Sequence, residues 1–167
     1  KLWYGFRLCA IESLTPRQNR LFSRGHREEP IIVNDLELAG MTVHSDQKEC
    51  NPECGHGHIL GHIDGISEDV PDAPKTPHLG EYKTANDKNF ILMVKNGCQR
   101  SKPVYYVQQQ CYMHELKLKR ALFIMVNKND DSRYYERIHY NKSSAEEALA
   151  KGVAVISSEV PMNKMPG

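Results

Sequence analysis

Glu81 and Lys83 stand two residues apart in Gly80-Glu81-Tyr82-Lys83-Thr84. Side chains alternate faces along a strand, so these two project from the same face. A carboxylate beside an ammonium at a strand end can hold a divalent ion and handle a water, although an isolated Glu-x-Lys more often forms an exposed ion pair of little energetic weight. Asp64, in Leu60-Gly61-His62-Ile63-Asp64-Gly65-Ile66, shifts that balance. An antiparallel neighbour would place it beside Glu81, and two carboxylates with a lysine make a hard-oxygen site of the kind Mg²⁺ takes together with several waters. Gly61 and Gly65 leave room for a bulky substrate to approach the backbone. Asp72, after Pro71, fits a literal Pro-Asp…Glu-x-Lys string better, but it sits among three prolines with no strand pattern. Asp64 is therefore the expected partner of Glu81.

Two further segments bear on the same chemistry. In Arg24-Gly25-His26-Arg27-Glu28-Glu29, a half-buried acid on a helix can supply a second-metal or water ligand, and Glu29 is a better candidate than Glu28. The alternative is a solvated acidic pair near a helix start. Gln108 and Tyr112 share a helical face at i and i+4; such neutral donors orient a phosphate or a carboxylate, or are simply a helix surface and a core tyrosine. Arg20, Arg24 and Arg27 form a stripe that either meets a DNA backbone or is a solvated face balanced by Glu28 and Glu29. Lys75, Lys88, Lys95, Arg100 and Lys102 are expected around the site, where phosphate contacts would give affinity without sequence preference. No recognition-helix pattern is present.

The elements that must position these residues read as follows. Thr15-Pro16 is an N-cap with proline at the first helical position, opening a helical region to Leu38, ended by Gly40. Gly25 and Pro30 leave open two helices or one kinked helix. Residues 41–45 read as a short strand, 46–57 as a loop, 58–66 as one strand, 67–78 as a loop and 79–85 as a third strand. Asn86-Asp87 caps a helix over 88–96 before Gly97, and Pro103 opens another to about Leu118. Residues 120–127 and 133–140 form a hairpin around Asn129-Asp130-Asp131. Ser143 and Ser144 cap a last helix over roughly 144–151.

The chain has 167 residues and a formal net charge of +1, from 22 Lys+Arg against 21 Asp+Glu. That length suits one domain with a real core. The near-zero charge argues against coating nucleic acid by charge alone, but not against a local basic groove. The longest unbroken apolar run, Ala121–Val126, is far too short to cross a bilayer. Five cysteines at irregular spacing point away from a disulfide framework and toward a cytoplasmic protein. Cys50, Cys54, His56 and His58 are the right ligand types for zinc but lack a Cys-x2-Cys knuckle, so an exposed loop is expected rather than a structural zinc.

Gly25…Glu29, Gly61-His62-Ile63-Asp64-Gly65, Glu81-Tyr82-Lys83 and the Gln108/Tyr112 helix, in this order, resemble the PD-(D/E)XK nuclease superfamily. Within it the likeness is to lambda-exonuclease-like (YqaJ/RecB-type) phage exonucleases and spans about residues 21–140. Tyr134-Tyr135-Glu136-Arg137-Ile138, after a hydrophobic strand, adds to it. The resemblance implies an α/β fold with a restriction-endonuclease-like core, a central mixed β-sheet flanked by helices, in a single domain over residues 1–167. It implies two Mg²⁺ or Mn²⁺ ions held by Asp64, Glu81 and the backbone carbonyl of Tyr82, with Glu29 helping to hold the second. Lys83 would position or deprotonate the attacking water, with a pKa lowered beside two ions. Arg20, Arg24, Arg27, Gln108 and Tyr112 would contact substrate.

The implied activity is 5′-3′ exonuclease action on linear double-stranded DNA in phage recombination or repair, in a host cytoplasm. A restriction-like or structure-specific endonuclease and a non-catalytic nucleic-acid-binding protein are the alternatives. A single-strand annealing protein and further copies of the chain are the implied partners. The aspartate motif lacks its proline and the chain is smaller than the lambda enzyme. No cysteine follows Cys111, so no iron-sulfur cluster is expected.

Overall fold

The computed structural model describes residues 2–9, 13–44 and 48–161. A helix absent from the pattern-based reading, α1 (Leu2–Leu8), comes first. The helical region that follows is one continuous element, α2 (Pro16–Leu38), and neither Gly25 nor Pro30 divides it. Its start is set by a reciprocal capping box. The Gln18 amide donates to the Thr15 hydroxyl at 3.3 Å, and the Thr15 amide donates to the Gln18 side chain at 2.8 Å. Pro30 lacks an N–H, which frees the carbonyl of His26 one turn earlier. Ala39 and Gly40, the latter with φ at 89°, close the helix.

After α2 come β1 (Thr42–His44), β2 (Glu49–Cys50), a 3₁₀ turn at Glu53–Gly55, β3 (Gly61–His62), β4 (Gly65–Glu68) and β5 (His78–Ala85). Next are α3 (Asp87–Ser101), α4 (Pro103–Glu115), β6 (Arg120–Asn127), β7 (Arg133–His139) and α5 (Lys142–Ser157). The five-stranded sheet runs β1-β4-β5-β6-β7, while β2 and β3 form a separate two-stranded ribbon. β5 and β6 are parallel, joined by the α3–α4 crossover, and the other pairs are antiparallel. The sheet is therefore mixed, as expected.

Its two faces are covered by different helices. Ile32 and Leu36 of α2 pack on Tyr82, Leu122, Ile124 and Val126. Met93 and Cys98 of α3 and Met113 of α4 pack with Leu79, Ala121, Phe123, Met125 and Ile138. The odd and even positions of β5 and β6 thus divide between two apolar layers, as strand alternation requires. Gln110 of α4, fully buried, donates to the His139 carbonyl at 3.1 Å and accepts from the Asn141 amide at 2.6 Å, fixing the turn into α5. α1 is held by α5: the Trp3 indole donates to the Ser158 carbonyl at 2.9 Å and Arg7 to the Ile156 carbonyl at 2.7 Å. Among the described residues no helix is long and apolar enough to cross a membrane.

Several expected boundaries are corrected. The single strand over 58–66 is two strands in two different sheets, because the chain leaves the β2–β3 ribbon at Ile63–Asp64 before joining β5. The 46–57 and 67–78 loops accordingly lose residues to β2 and β4. The last helix starts earlier and ends later than 144–151, and its cap is the Asn141 side chain, accepting from the Ser144 amide at 3.1 Å, not Ser143 or Ser144. α3 continues past Gly97, which breaks its geometry at φ 75° and ψ 172°.

Candidate active site

β4 pairs with β5 only from Gly65↔Gly80 to Ser67↔His78. Beyond Gly80, β5 keeps β6 on one side but loses β4 on the other, leaving a notch in the sheet. Asp64, one residue before the ladder begins, fills its mouth: its Oδ2 accepts from the Tyr82 amide at 2.6 Å, replacing the missing strand's carbonyl. The Tyr82 carbonyl, left without a strand partner on that side, accepts from Lys83 Nζ at 3.0 Å. Nζ also donates to Asp64 Oδ2 at 3.2 Å and lies 2.7 Å from Glu81 Oε1. Asp64, Glu81, the Tyr82 carbonyl and Lys83 therefore meet at one point, and strand alternation does put Glu81 and Lys83 on the same face.

Glu81 is fully buried; its Oε1 is paired with the Lys83 ammonium at 2.7 Å, and its Oε2 has no hydrogen-bond partner. Burial pushes its pKa up; the Lys83 charge pulls the other way, and the net direction is up. For Lys83, burial alone would lower the pKa, but the adjacent charges of Glu81 and Asp64 outweigh it and the net direction is up. The ammonium is thus the cation neutralising this site in the ion-free protein. A buried Glu81 carboxylate with one oxygen on the lysine and the other unpartnered, an aspartate and a strand carbonyl around one cationic point match the hard-oxygen chemistry of Mg²⁺. Among the described residues no three His, Cys, Asp or Glu side chains are placed to hold a metal ion.

α2 supplies the opposite wall. Glu29 is partly buried; burial first, then the Asp64 charge, raises its pKa. Its Oε1 lies 3.4 Å from His26 Nδ1. This His26–Glu29 pair lines two cavities. One, of about 390 Å³, also includes Leu21, Phe22, Tyr82, Lys83, Tyr105 and Lys128. The other, of about 460 Å³, also includes Pro30, Val33, Asn34, Glu37 and Asp64. The first mixes aromatic rings with two lysines and two glutamates, Glu28 and Glu29, and the second is acidic.

The remaining sequence-derived candidates divide. Arg24 reaches the rim of the first cavity, donating to the Lys128 carbonyl at 3.0 Å and pairing with Glu28 at 3.7 Å. Arg20 and Arg27 are exposed on α2 and line neither cavity. Gln108 donates to the Tyr112 hydroxyl at 3.0 Å, and that hydroxyl is packed so closely on Gly61 that a Cβ there would lie 2.1 Å from it. This pair thus abuts the segment leading to Asp64. Asp72 is 79% exposed and pairs with Arg137 at 3.4 Å, away from the notch. Lys75, Lys88, Lys95, Arg100 and Lys102 line neither cavity; Lys83 and Lys128 are the lysines that do. Cys50 is buried, Cys54 is exposed in the 3₁₀ turn, and the His58 ring packs edge-on against Phe6 at 4.9 Å.

Four residues at the site escaped the sequence reading. His26 and Phe22 lie one turn apart on α2 and at i−3 and i−7 from Glu29, a spacing that could have flagged both. Lys128 follows β6 and reaches the site only through the parallel β5–β6 register, in which Ala85 faces Asn127. Tyr105 carries no local signal.

No family model matches the sequence, and no curated protein resembles it. Solved structures do. The alkaline exonuclease LHK-Exo from Laribacter hongkongensis superposes with a TM-score of 0.61 at 19% identity, over 90% of this chain and 72% of that one. Its complex with dAMP gives 0.63 at the same identity and coverage. A phage-related exonuclease from Haemophilus somnus 129PT gives 0.62 at 13% identity, over 90% and 74%. The chain has the fold of these exonucleases. That is the α/β nuclease core which the Asp64, Glu81-Tyr82-Lys83 and Gln108/Tyr112 motifs implied. With identities this low, the likeness rests on backbone course, and the chemistry must be argued from the notch itself.

Proposed function

We propose that this protein is a divalent-metal-dependent deoxyribonuclease, acting as a 5′-3′ exonuclease on linear double-stranded DNA. The observation that carries the reading is the convergence of Asp64, Glu81 and the Tyr82 carbonyl on one cationic point, with both Glu81 oxygens buried and Oε2 lacking any hydrogen bond. Asp64, Glu81 and the Tyr82 carbonyl would hold one Mg²⁺ or Mn²⁺, and Glu29 would help hold a second. When bound, such ions supply a nucleophilic water at neutral pH and a counter-charge for the leaving 3′ oxygen. Lys83 presents a positive Nζ at the same point, able to orient the attacking water or to counter charge on the phosphate.

The substrate runs along α2. Lys128 and Arg24 offer phosphate contacts at the rim of the 390 Å³ cavity, with Arg20 and Arg27 further along the helix. LHK-Exo has been solved with dAMP, and a cavity of this size beside Lys83 accommodates a unit of that kind. Gln108 and Tyr112 act through Gly61 on the segment that carries Asp64. Residues 1–167 act as one nuclease domain in phage-type recombination or repair, with a single-strand annealing protein and further copies of the chain as partners, in the host cytoplasm.

One assay tests the reading against its alternatives. With Mg²⁺ present, linear duplex DNA is expected to be degraded and covalently closed circular DNA left intact. Cutting of both would make the protein an endonuclease, and cutting of neither a nucleic-acid-binding protein. Comparing 5′-phosphate with 5′-hydroxyl ends then checks polarity, a faster rate on the phosphate being expected.

A further inference from the structure

Every acceptor that fixes the Lys83 ammonium comes from β5 or from Asp64 beside it. A separate contact comes from across the cavity. Nζ lies over the ring of Tyr105, 5.9 Å from its centroid, within the range at which an aromatic face attracts an ammonium. Tyr105 is itself anchored in the first turn of α4. Its ring sits 6.4 Å from that of Phe123 at 30°, and its carbonyl accepts from the Gln109 side chain at 3.0 Å. Phe123 is in turn the cross-strand partner of Glu81. A packed path thus runs from the strand bearing Glu81, through Phe123 and Tyr105, to the tip of Lys83.

From this placement we infer that Tyr105 is a positioning residue, whose ring face holds the Lys83 ammonium at the point where Asp64, Glu81 and the Tyr82 carbonyl meet. The physical need is specific. Lysine is a point charge on a flexible four-carbon stem, and this side chain is 24% exposed to the cavity. Asp64 and Glu81 hold it in the ion-free protein, but any metal bound to those carboxylates neutralises the charge that holds the lysine. The attraction of the Tyr105 ring does not depend on the carboxylates and persists when they are occupied. The consequence for turnover rests on the nuclease reading; the contact itself does not.

The test is competitive acylation of lysines by an N-hydroxysuccinimide ester on the full chain, quantified by mass spectrometry with and without Mg²⁺, in wild type, Tyr105→Phe and Tyr105→Leu. Labelling of Lys83, relative to Lys88 and Lys75, is expected to rise about two- to five-fold in Tyr105→Leu, the size of one cation–π contact. Tyr105→Phe keeps the ring face and is expected to match wild type. Unchanged labelling of Lys83 in Tyr105→Leu overturns the proposal, and so does a Phe variant that behaves like the Leu variant. A thermal melt checks folding, and Tyr105→Met, unbranched and of similar reach, provides the same comparison should the leucine variant not fold. In DNA cleavage, kcat of the leucine variant is expected to fall at little-changed KM, with Phe restoring it. Absence of cleavage in all proteins would sink the nuclease reading while leaving the labelling result to decide the role of Tyr105.

Discussion

At the scale of single residues, the site is a local charge balance. Two acids and one lysine share a half-buried notch, and the lysine is the cation at hand. On the proposed nuclease reading, Lys83→Ala removes the cation from beside the phosphate, and Mg²⁺-dependent cleavage is expected to fall by about 10²–10⁴-fold, the usual range for a positioned proton-handling group. A rate near wild type on linear DNA would remove Lys83 from the site. Gly80 is a different kind of requirement. The Tyr82 ring lies over it, so that a Cβ at this position would meet the phenol oxygen at 2.6 Å and the Gly65 carbonyl at 3.2 Å. Gly80→Ala is expected to destabilise the fold by about 1–3 kcal/mol, read by urea unfolding, and to lower cleavage by shifting the Tyr82 carbonyl.

At the scale of elements, the supports of the site are terminations and breaks. α2 begins on a capping box, runs through Pro30 and delivers Glu29 to the notch; its tie to the sheet is completed by the Arg133–Asp35 ion pair from β7. α3 is broken at Gly97 so that the Cys98 amide can donate to Glu136 Oε2 at 2.7 Å, which the Tyr134 hydroxyl also reaches at 2.9 Å. The Gly97 backbone, at φ 75° and ψ 172°, lies in a region open almost only to glycine. A Cβ there would also crowd Glu136 Oε1 at 3.3 Å. Gly97→Ala is expected to cost about 1–3 kcal/mol of stability, measured as a lower urea midpoint at unchanged slope; an unchanged midpoint would refute the account of the break.

At the scale of the whole molecule, the net charge of +1 is a sum of separated opposites: acids Glu29, Asp64 and Glu81 inside, with Lys128 and Arg24 at the rim. Stability also has a pH edge away from the site. His78, fully buried at the start of β5, gives Nδ1 to the Thr76 carbonyl at 2.8 Å, while Nε2 has no partner. Burial, with smaller effects from Arg137 and Arg120, lowers its pKa, against the hydrogen bond to Thr76. A histidine depressed in the folded state binds its proton more readily when unfolded, so its contribution is complete above the unfolded value of roughly 6.5 and is lost as pH falls below it. Denaturant unfolding at pH 7.5 and 5.5 is expected to show a smaller acid loss in His78→Asn than in wild type. Equal losses would show that His78 is not the group responsible.

Local signals in the sequence were enough for the cap at Thr15, the stop of α2 at Gly40, the hairpin between β6 and β7, and the shared face of Glu81 and Lys83, because each depends on residues a few positions apart. That Asp64, and not Asp72, lies beside Glu81 and Lys83 was also legible, since one is in a strand-like run and the other among prolines. The notch was not. It exists because the chain leaves the β2–β3 ribbon at Ile63–Asp64 and pairs with β5 only as far as Gly80, whereas a continuous strand over 58–66 would have covered the Tyr82 carbonyl. Lys128, Tyr105 and the two cavities beneath α2 likewise depend on parallel register and helix placement between segments distant in the chain. Which residues can do chemistry follows from their types and spacing; which atoms are left without a strand partner, and so free to do it, is decided by how distant segments pack.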